Sequence, residues 1–336
     1  MRRRFLLALG WFGLAGCQRA PTGAPAPLDA SAATTAATTS AAISDAGSPP
    51  LLSVPLVPTT SADAGDPMAA YATATPTGGK SVGHTSVVFK VALEGGLNVA
   101  YKPRSTRGDH RYRGEIAAYR LARALSLENV PLAMPRSFGY DALKAAVGHE
   151  PIFAEVVKEP DETVRGALMP WIKGLEFVPL ENAEWMPKWR GWLKADGEIP
   201  DDERDLAAQI SDVLAFDVVT GNWDRWSGGN IGIDRAHRPH AMLLYVDNDG
   251  AFFDPPPVKE MKWPTSLFEG VERFSRSFVA ALRSVDVARA VGEEVPGQPL
   301  LSARVLAQTE QRRKHVLAVI DAKIGKLGEA KVLAFE

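Results

Sequence analysis

The sequence predicts an α+β fold in two lobes, a small β-rich N-terminal lobe carrying one key helix and a mainly helical C-terminal lobe. Three patterns predict it. Ser86–Leu93 and Leu97–Lys102 are rich in β-branched and apolar residues and flank Glu94-Gly95-Gly96, the pattern of a β-hairpin. Gly114–Leu127 places Ile116, Tyr119, Leu121, Ala124 and Leu125 along one helical stripe. Further on the apolar spacing is helical again: Leu206, Ile210, Val213 and Leu214 follow i, i+4, i+7, i+8, and Ser302–Lys326 carries Val305, Leu306, Val316, Leu317, Ile320 and Ile324 on one face.

The 336 residues are 46% apolar, enough for a sizeable core in one large or two small domains. A formal net charge of −2 leaves no broad basic surface, which argues against nucleic acid as a partner. At the N-terminus, Arg2, Arg3 and Arg4 precede an apolar run from Phe5 to Gly16, 12 residues and too short to span a bilayer core of about 30 Å. Leu14-Ala15-Gly16-Cys17 resembles the lipobox of bacterial lipoproteins, in which the cysteine is diacylated and becomes the new N-terminus. Cys17 is the only cysteine in the chain. An ordinary secretory signal with an incidental cysteine is the alternative. On the lipobox reading, residues 1–17 are a signal segment and lipidated Cys17 ties the protein to a membrane of the bacterial cell envelope, facing the periplasm or exterior. The fold must then stand without a disulfide. Residues 18–78, rich in Ala, Thr, Ser and Pro, bury too little apolar surface to offset their ordering and read as a disordered tether. The folded part divides into an N-lobe with its hinge at 79–174 and a helical C-lobe at 175–336.

Chemistry concentrates in two stretches. Leu214-Ala-Phe-Asp-Val-Val-Thr-Gly-Asn-Trp-Asp-Arg-Trp-Ser-Gly-Gly-Asn230 runs from a helix into a glycine-punctuated loop, and Leu243-Leu-Tyr-Val-Asp-Asn-Asp-Gly250 is a strand ending in a carboxylate. Asp224, Asn230 and Asp247 offer the oxygen ligands that Mg²⁺ or Mn²⁺ takes, and an acid that orients a hydroxyl beside such metals is what phosphoryl transfer needs. Asp217, near the helix end, opposes the helix dipole and needs a partner, for which loop amides would serve. Asp249 reads more simply as a turn residue than as a second ligand. Asn230–Asp234 and Ala241–Val246 read as a hairpin around a turn at 235–240.

In the N-lobe, Lys102 closes the second strand and Glu115 falls in the first turn of the following helix. Separately, the lysine reads as a solvated charge and the acid as a complement to the helix dipole. Together they could form an ion pair that aims the ammonium at nucleotide phosphates. Gly83-His84-Thr85, ahead of the first strand, is a place for backbone amides to approach phosphate. Gly78-Gly79-Lys80-Ser81 matches the end of a P-loop, but Ala74 stands where its first glycine belongs. Gly166–Gly174, an apolar strand that stops at Pro170, fits either a core strand or a hinge whose backbone, around Met169, bonds to adenine. The six histidines show no zinc-ligand spacing, and no Gly-x-Ser-x-Gly elbow is present.

Taken in order, Asn98-Val-Ala-Tyr-Lys-Pro-Arg104, Gly114-Glu-Ile-Ala-Ala-Tyr-Arg-Leu-Ala-Arg123, Val130-Pro131 and Phe216-Asp-x-x-x-Gly-Asn-x-Asp-Arg225 resemble the secretory-pathway kinases that include Golgi casein kinase and glycosaminoglycan xylosylkinase. They are similar, more loosely, to type II phosphatidylinositol 4-kinases. The resemblance implies a two-lobed protein-kinase-like fold that uses ATP with Mg²⁺ or Mn²⁺. It also implies that Lys102 contacts nucleotide phosphates with Glu115 as its partner, that Asp224 is the catalytic aspartate, and that Asn230 and Asp247 ligate metal. Two departures stand out. Trp226-Ser-Gly-Gly-Asn230 replaces the histidines that follow Asp-Arg in the secretory kinases, closer to a lipid-kinase and four-jointed-like pattern, and Asp249 interrupts the Asp-Asn-Gly order. The matching segments lie within 84–135 and 210–253. The insert at 175–205 matches none of them. Trp185, Trp189 and Trp192 share one helical face there at core-packing spacing, yet the insert is the natural candidate for a substrate-facing element.

Three functions fit these residues. The first is a phosphotransferase that moves the γ-phosphate of ATP to a hydroxyl acceptor, whether a protein Ser or Thr, a sugar or a lipid, on an exported lipoprotein. The second is an inactive pseudokinase-like scaffold, motivated by the scarcity of ATP outside the bacterial cytoplasm. The third is a metal-dependent hydrolase using Asp224, Asp247 and Asp249.

Overall fold

The computed structural model describes residues 67–83, 85–234 and 241–336. Cys17 with the signal segment, most of the expected tether, His84 and the 235–240 turn lie outside the described residues.

Among the described residues, regular structure is already present ahead of Gly79, from Pro67. Helix α1 (Pro67–Thr73) and strand β1 (Pro76–Ser81) occupy the end of the stretch read as tether. Strand β1 pairs antiparallel with β2 (Phe89–Leu93). Its composition misleads because the site demands small residues: a Cβ on Gly79 would lie 2.5 Å from the Lys90 carbonyl and 2.8 Å from Val147. Backbone pairing with β2 holds this strand, helped by Thr77 Oγ1, which donates to the Ala92 carbonyl at 3.2 Å, and Ser81 Oγ, which donates to Glu150 at 2.7 Å.

The predicted hairpin is formed by β2 and β3 (Asn98–Pro103) around Glu94–Gly96. Helix α2 (His110–Ala124) follows. It starts earlier than predicted, which moves Glu115 out of the first turn and removes the helix dipole as the reason for an acid there. Strand β4 (Met134–Gly139), helix α3 (Tyr140–Val147) and strand β5 (Thr163–Pro170) complete a five-stranded sheet of order β1-β2-β3-β5-β4, in which every neighbouring pair is antiparallel. Its inner face buries Val87, Phe89, Val91, Tyr101, Phe138 and Leu168 against Leu143 and Val147 of α3.

The second part opens with β6 (Glu176–Phe177) and α4 (Trp185–Trp192). Trp189 and Trp192 are buried, Trp189 donates from Nε1 to the Leu180 carbonyl at 2.8 Å, and its ring lies 5.6 Å from that of Trp226. Trp189 and Trp192 are therefore core beneath the acid-bearing loop, as their spacing predicts, with Trp185 partly buried beside them. Helix α5 (Arg204–Thr220) leads into that loop, and β7 (Ile231–Asp234) and β8 (Met242–Tyr245) form the predicted hairpin, joined by β6 into a three-stranded sheet. Helices α6 (Lys262–Gly270), α7 (Arg276–Ser284) and α8 (Val287–Val291), the short pair β9 (Glu293–Val295) and β10 (Gln298–Pro299), and helices α9 (Ala303–Leu327) and α10 (Glu329–Val332) complete the chain. The Ser302 side chain caps α9 by accepting from the Val305 amide, as Ser at an N-cap does.

Helix α2 packs with this second core rather than with the sheet alone. Tyr112, Ile116, Leu121 and Leu125 are buried in it. The Tyr112 hydroxyl donates to Glu294 at 2.7 Å, Arg113 Nε to the same carboxylate at 3.0 Å, and Arg120 to the carbonyls of Val291 and Glu293, both at 2.7 Å. Among the described residues no helix is long and apolar enough to cross a membrane.

Candidate active site

Side chains alternate along β3, so Tyr101 enters the core of the sheet and Lys102 faces the opposite side, toward α2. Lys102 is only 3% exposed, and an ammonium so placed needs counter-charges. It has three: Glu115 at 2.6 Å, Asp247 at 2.8 Å and Asp249 at 3.1 Å. Burial alone would push the lysine pKa down, but Asp247, Glu115 and Asp249 together hold it well above its usual value. Glu115 has a second partner, accepting the Asn248 amide at 3.0 Å, yet its burial outweighs Lys102 and raises its pKa. Asp249 is also buried, and there the pull of Lys102 and of Arg111, 3.2 Å away, prevails and lowers its pKa. Ser86, on the segment joining β1 to β2, adds a hydrogen bond to the Asp249 carboxylate. Asp249 is thus a member of the charge cluster and not the turn residue its spacing suggested.

These groups meet because two backbones approach closely. A Cβ on Gly114 of α2 would lie 2.9 Å from the Asn248 carbonyl. Asp247 itself has a left-handed backbone (φ 55°, ψ 66°), the turn that brings Asn248 and Asp249 under the helix. Its side chain stays 43% exposed.

The loop after α5 is organised by Arg225, which is fully buried. Its guanidinium donates to Asp217 at 3.2 Å, to the carbonyls of Asn230 (2.9 Å) and Val246, and to the Asn248 side-chain oxygen. One side chain therefore ties together the end of α5, the start of β7, the end of β8 and the segment that carries Asp247. The partner Asp217 requires is this guanidinium, not loop amides. Burial still pushes Asp217 up to about 6, against Arg225 and the Trp226 indole. Gly221 ends α5 in the left-handed conformation (φ 69°) that a C-terminal cap needs.

Asp224 follows at the loop's turn. Its amide donates to Asn222 Oδ1 at 3.1 Å, and its carbonyl accepts from Asn230 Nδ2 at 2.8 Å. Its half-buried carboxyl is raised above the usual range, first by burial and then, against relief from Ser227, by Asp247 and Asp249. A Cβ on Gly250 would lie 2.9 Å from Asp224 Cβ and 2.8 Å from Asn222 Oδ1, so glycine lets the loop sit on the Asp247 segment.

Asp224, Asn230, Asp247, Lys102 and Glu115 therefore share one locale, with Asp224 and Asp247 in electrostatic contact. Gly83 (φ 88°) lies between β1 and β2, not ahead of a first strand, and lines a cavity of about 570 Å³ with Arg107 and Glu155. Met169 lies inside β5, opposite Ala100. Since Trp171 N donates to Asn98 O at 2.9 Å, antiparallel alternation commits the Met169 backbone to β3 as well. The chain leaves the sheet only beyond Pro170. Sequence reasoning missed Arg111, Asn222 and the structural use of Arg225. The Asp-Arg pair was a signal for the last of these, since an arginine beside a loop carboxylate in an apolar stretch must find acceptors. Among the described residues no group of three or more His, Cys, Asp or Glu is arranged to hold a metal.

The antiparallel five-stranded sheet, the helix bearing Glu115 and the acid-bearing loop on a helical base define a protein-kinase-like α+β fold. No protein-family model matches the sequence, and no curated protein matches it. Among solved structures, the chain is similar to the Golgi casein kinase crystallised with Mn/ADP bound, with a TM-score of 0.59 and 14% identity over 79% of this chain and 77% of that one. It is also similar to hydra Fam20 in a structure with sugar, with a TM-score of 0.58 and 18% identity over 79% of this chain and 90% of that one. At these identities the likeness is one of fold.

Proposed function

We propose that this chain is an ATP-dependent phosphotransferase that moves a phosphoryl group to a hydroxyl acceptor. The observation that carries the reading is the convergence of Lys102, from the sheet, on Glu115, Asp247 and Asp249. That lysine would contact the nucleotide phosphates. Asp224, its pKa raised by burial, would orient the acceptor hydroxyl and take up its proton.

The residues present fit a divalent cation. Two cations, Lys102 and Arg111, face three carboxylates, Glu115, Asp247 and Asp249, so the cluster carries surplus negative charge before Asp224 is counted. Asp247 is the exposed member, and Asn230, its Nδ2 spent on the Asp224 carbonyl, keeps Oδ1 for a ligand. Mg²⁺ is commonly held by one or two carboxylates and completed by substrate phosphates and water, which suits a site lacking a full protein cage. Bound there, the metal would neutralise phosphate charge. The Golgi casein kinase structure, with Mn/ADP, supports the same pairing of nucleotide and metal. The envelope location inferred from Cys17 remains part of this proposal.

Incubating the protein with γ-labelled ATP and Mn²⁺ tests the reading. Label incorporated into an acceptor or the protein itself supports it. Nucleotide binding without transfer favours the scaffold, and phosphate release without an acceptor favours a hydrolase.

A further inference from the structure

Away from the charge cluster, a cavity of about 630 Å³ opens between the end of α5, the segment 253–262 and α9. That volume falls within the range of small-molecule sites. Its walls are mainly apolar, with Val218, Phe253, Pro256, Pro257, Val258 and Met261 contributing, and Val258 is left 69% exposed at the rim. Phe253, Pro256, Pro257 and Met261 are half-buried around it, so the apolar wall is continuous rather than one stray side chain.

The polar groups on the same walls are biased in sign. Arg312 donates to the carbonyls of Val219 (2.9 Å) and Thr220 (3.3 Å) and to Thr309 Oγ1 (3.0 Å), and it has no carboxylate partner among the described residues. Burial pushes its pKa down to about 10, still charged at neutral pH. Lys262 is exposed and has no ion-pair partner among the described residues. The acid on this wall, Glu269, has His315 3.6 Å away. An apolar trough with two cations lacking counter-ions is complementary to a molecule with an apolar body and one negative group.

We propose that this cavity is a ligand site for a free, single-chain amphipathic anion, its chain along the proline-rich segment and its head between Lys262 and Arg312. The claim does not depend on phosphotransfer and survives if that reading fails. Gly221 of the Asp224 loop lines the same cavity, and the Phe253 ring lies 6.2 Å from that of Trp223, so a ligand here touches the elements that hold Asp224.

Calorimetric titration of the full chain in detergent-free buffer with decanoate, decanol and inorganic phosphate tests it. Decanoate should bind one to one and about tenfold or more tighter than decanol, with phosphate alone giving no binding. Lys262→Gln should weaken decanoate about three- to tenfold and leave decanol unchanged, because it removes charge and no packing. Thr265→Trp, which puts an indole into the cavity, should weaken both about tenfold or more while leaving thermal unfolding near that of the parent. Decanol binding as tightly as decanoate, phosphate binding alone, indifference to Lys262→Gln, both affinities unchanged by Thr265→Trp, or no decanoate binding at all would each overturn the proposal.

Discussion

Lys102 Nζ and Asp247 Oδ1 lie 2.8 Å apart although 145 residues separate them in the chain. The first belongs to the sheet and the second to the turn after β8, so this contact records how the two halves close on each other. With Lys102 buried and shared among three acids, the contact is also an energetic commitment. Lys102→Met should strand those acids and destabilise the protein by roughly 3–5 kcal/mol near neutral pH. The deficit should shrink as pH falls through the ordinary carboxylate range near about 4, because the stranded acids then take up protons. Urea unfolding at both pH values checks this, and equal deficits would show that the acids do not act with Lys102.

Asp224→Ala should lower phosphoryl transfer by about two to four orders of magnitude if this carboxyl accepts the hydroxyl proton. Nucleotide affinity should change little, since in the proposal Lys102 and Asp247 hold that end. Single-turnover transfer and a separate nucleotide titration distinguish the two effects, and undiminished transfer would remove Asp224 from the role.

Asp212 gives a stability prediction remote from the site. It is fully buried in α5, and desolvation pushes its pKa up to about 7 despite hydrogen bonds from Ser275. In the unfolded chain an aspartate titrates near about 4. Between these values the folded state binds the extra proton, so this group's contribution is greatest below about pH 4 and is lost as pH rises toward about 7. Asp212→Asn should therefore gain stability relative to the parent, by a few kcal/mol, on going from about pH 5 to about pH 8. A constant difference in denaturation midpoints would contradict it.

Gly114→Ala probes close approach. The added methyl would meet the Asn248 carbonyl at 2.9 Å, forcing α2 and the Asp247 segment apart. A loss of about 1–3 kcal/mol is expected from such overpacking. The separation of Glu115 from Lys102 should appear mainly as weaker nucleotide binding, measurable by calorimetry. Unaltered binding in a folded variant would show that the close approach does not set the Lys102–Glu115 pair.

Much of this was legible in the sequence for identifiable reasons. The β2–β3 hairpin, α5, the β7–β8 pair and α9 announce themselves through periodicity, because each has one face in a core. Lys102, Glu115, Asp224, Asn230 and Asp247 stood out as polar residues at the ends of such elements, and the resemblance put them in order. Strand β1 was illegible because Gly79, required by packing against Lys90 and Val147, looks the same as a linker glycine. Asp249 hid for a related reason: an Asp before Gly is also what a turn demands, and only the fold shows Arg111 and Lys102 beside it. Trp189 and Trp192 of α4 followed their spacing into the core.

The fastening of α2 to Glu294 and the 291–293 backbone makes the helix that bears Glu115 part of the C-terminal half, whereas Lys102 belongs to the sheet. Lys102 therefore joins the sheet to Glu115, Asp247 and Asp249, and parting them would break three ion pairs around one ammonium. Because Lys102 is buried, added salt would screen these pairs far less than it screens the exposed pairs of the surface.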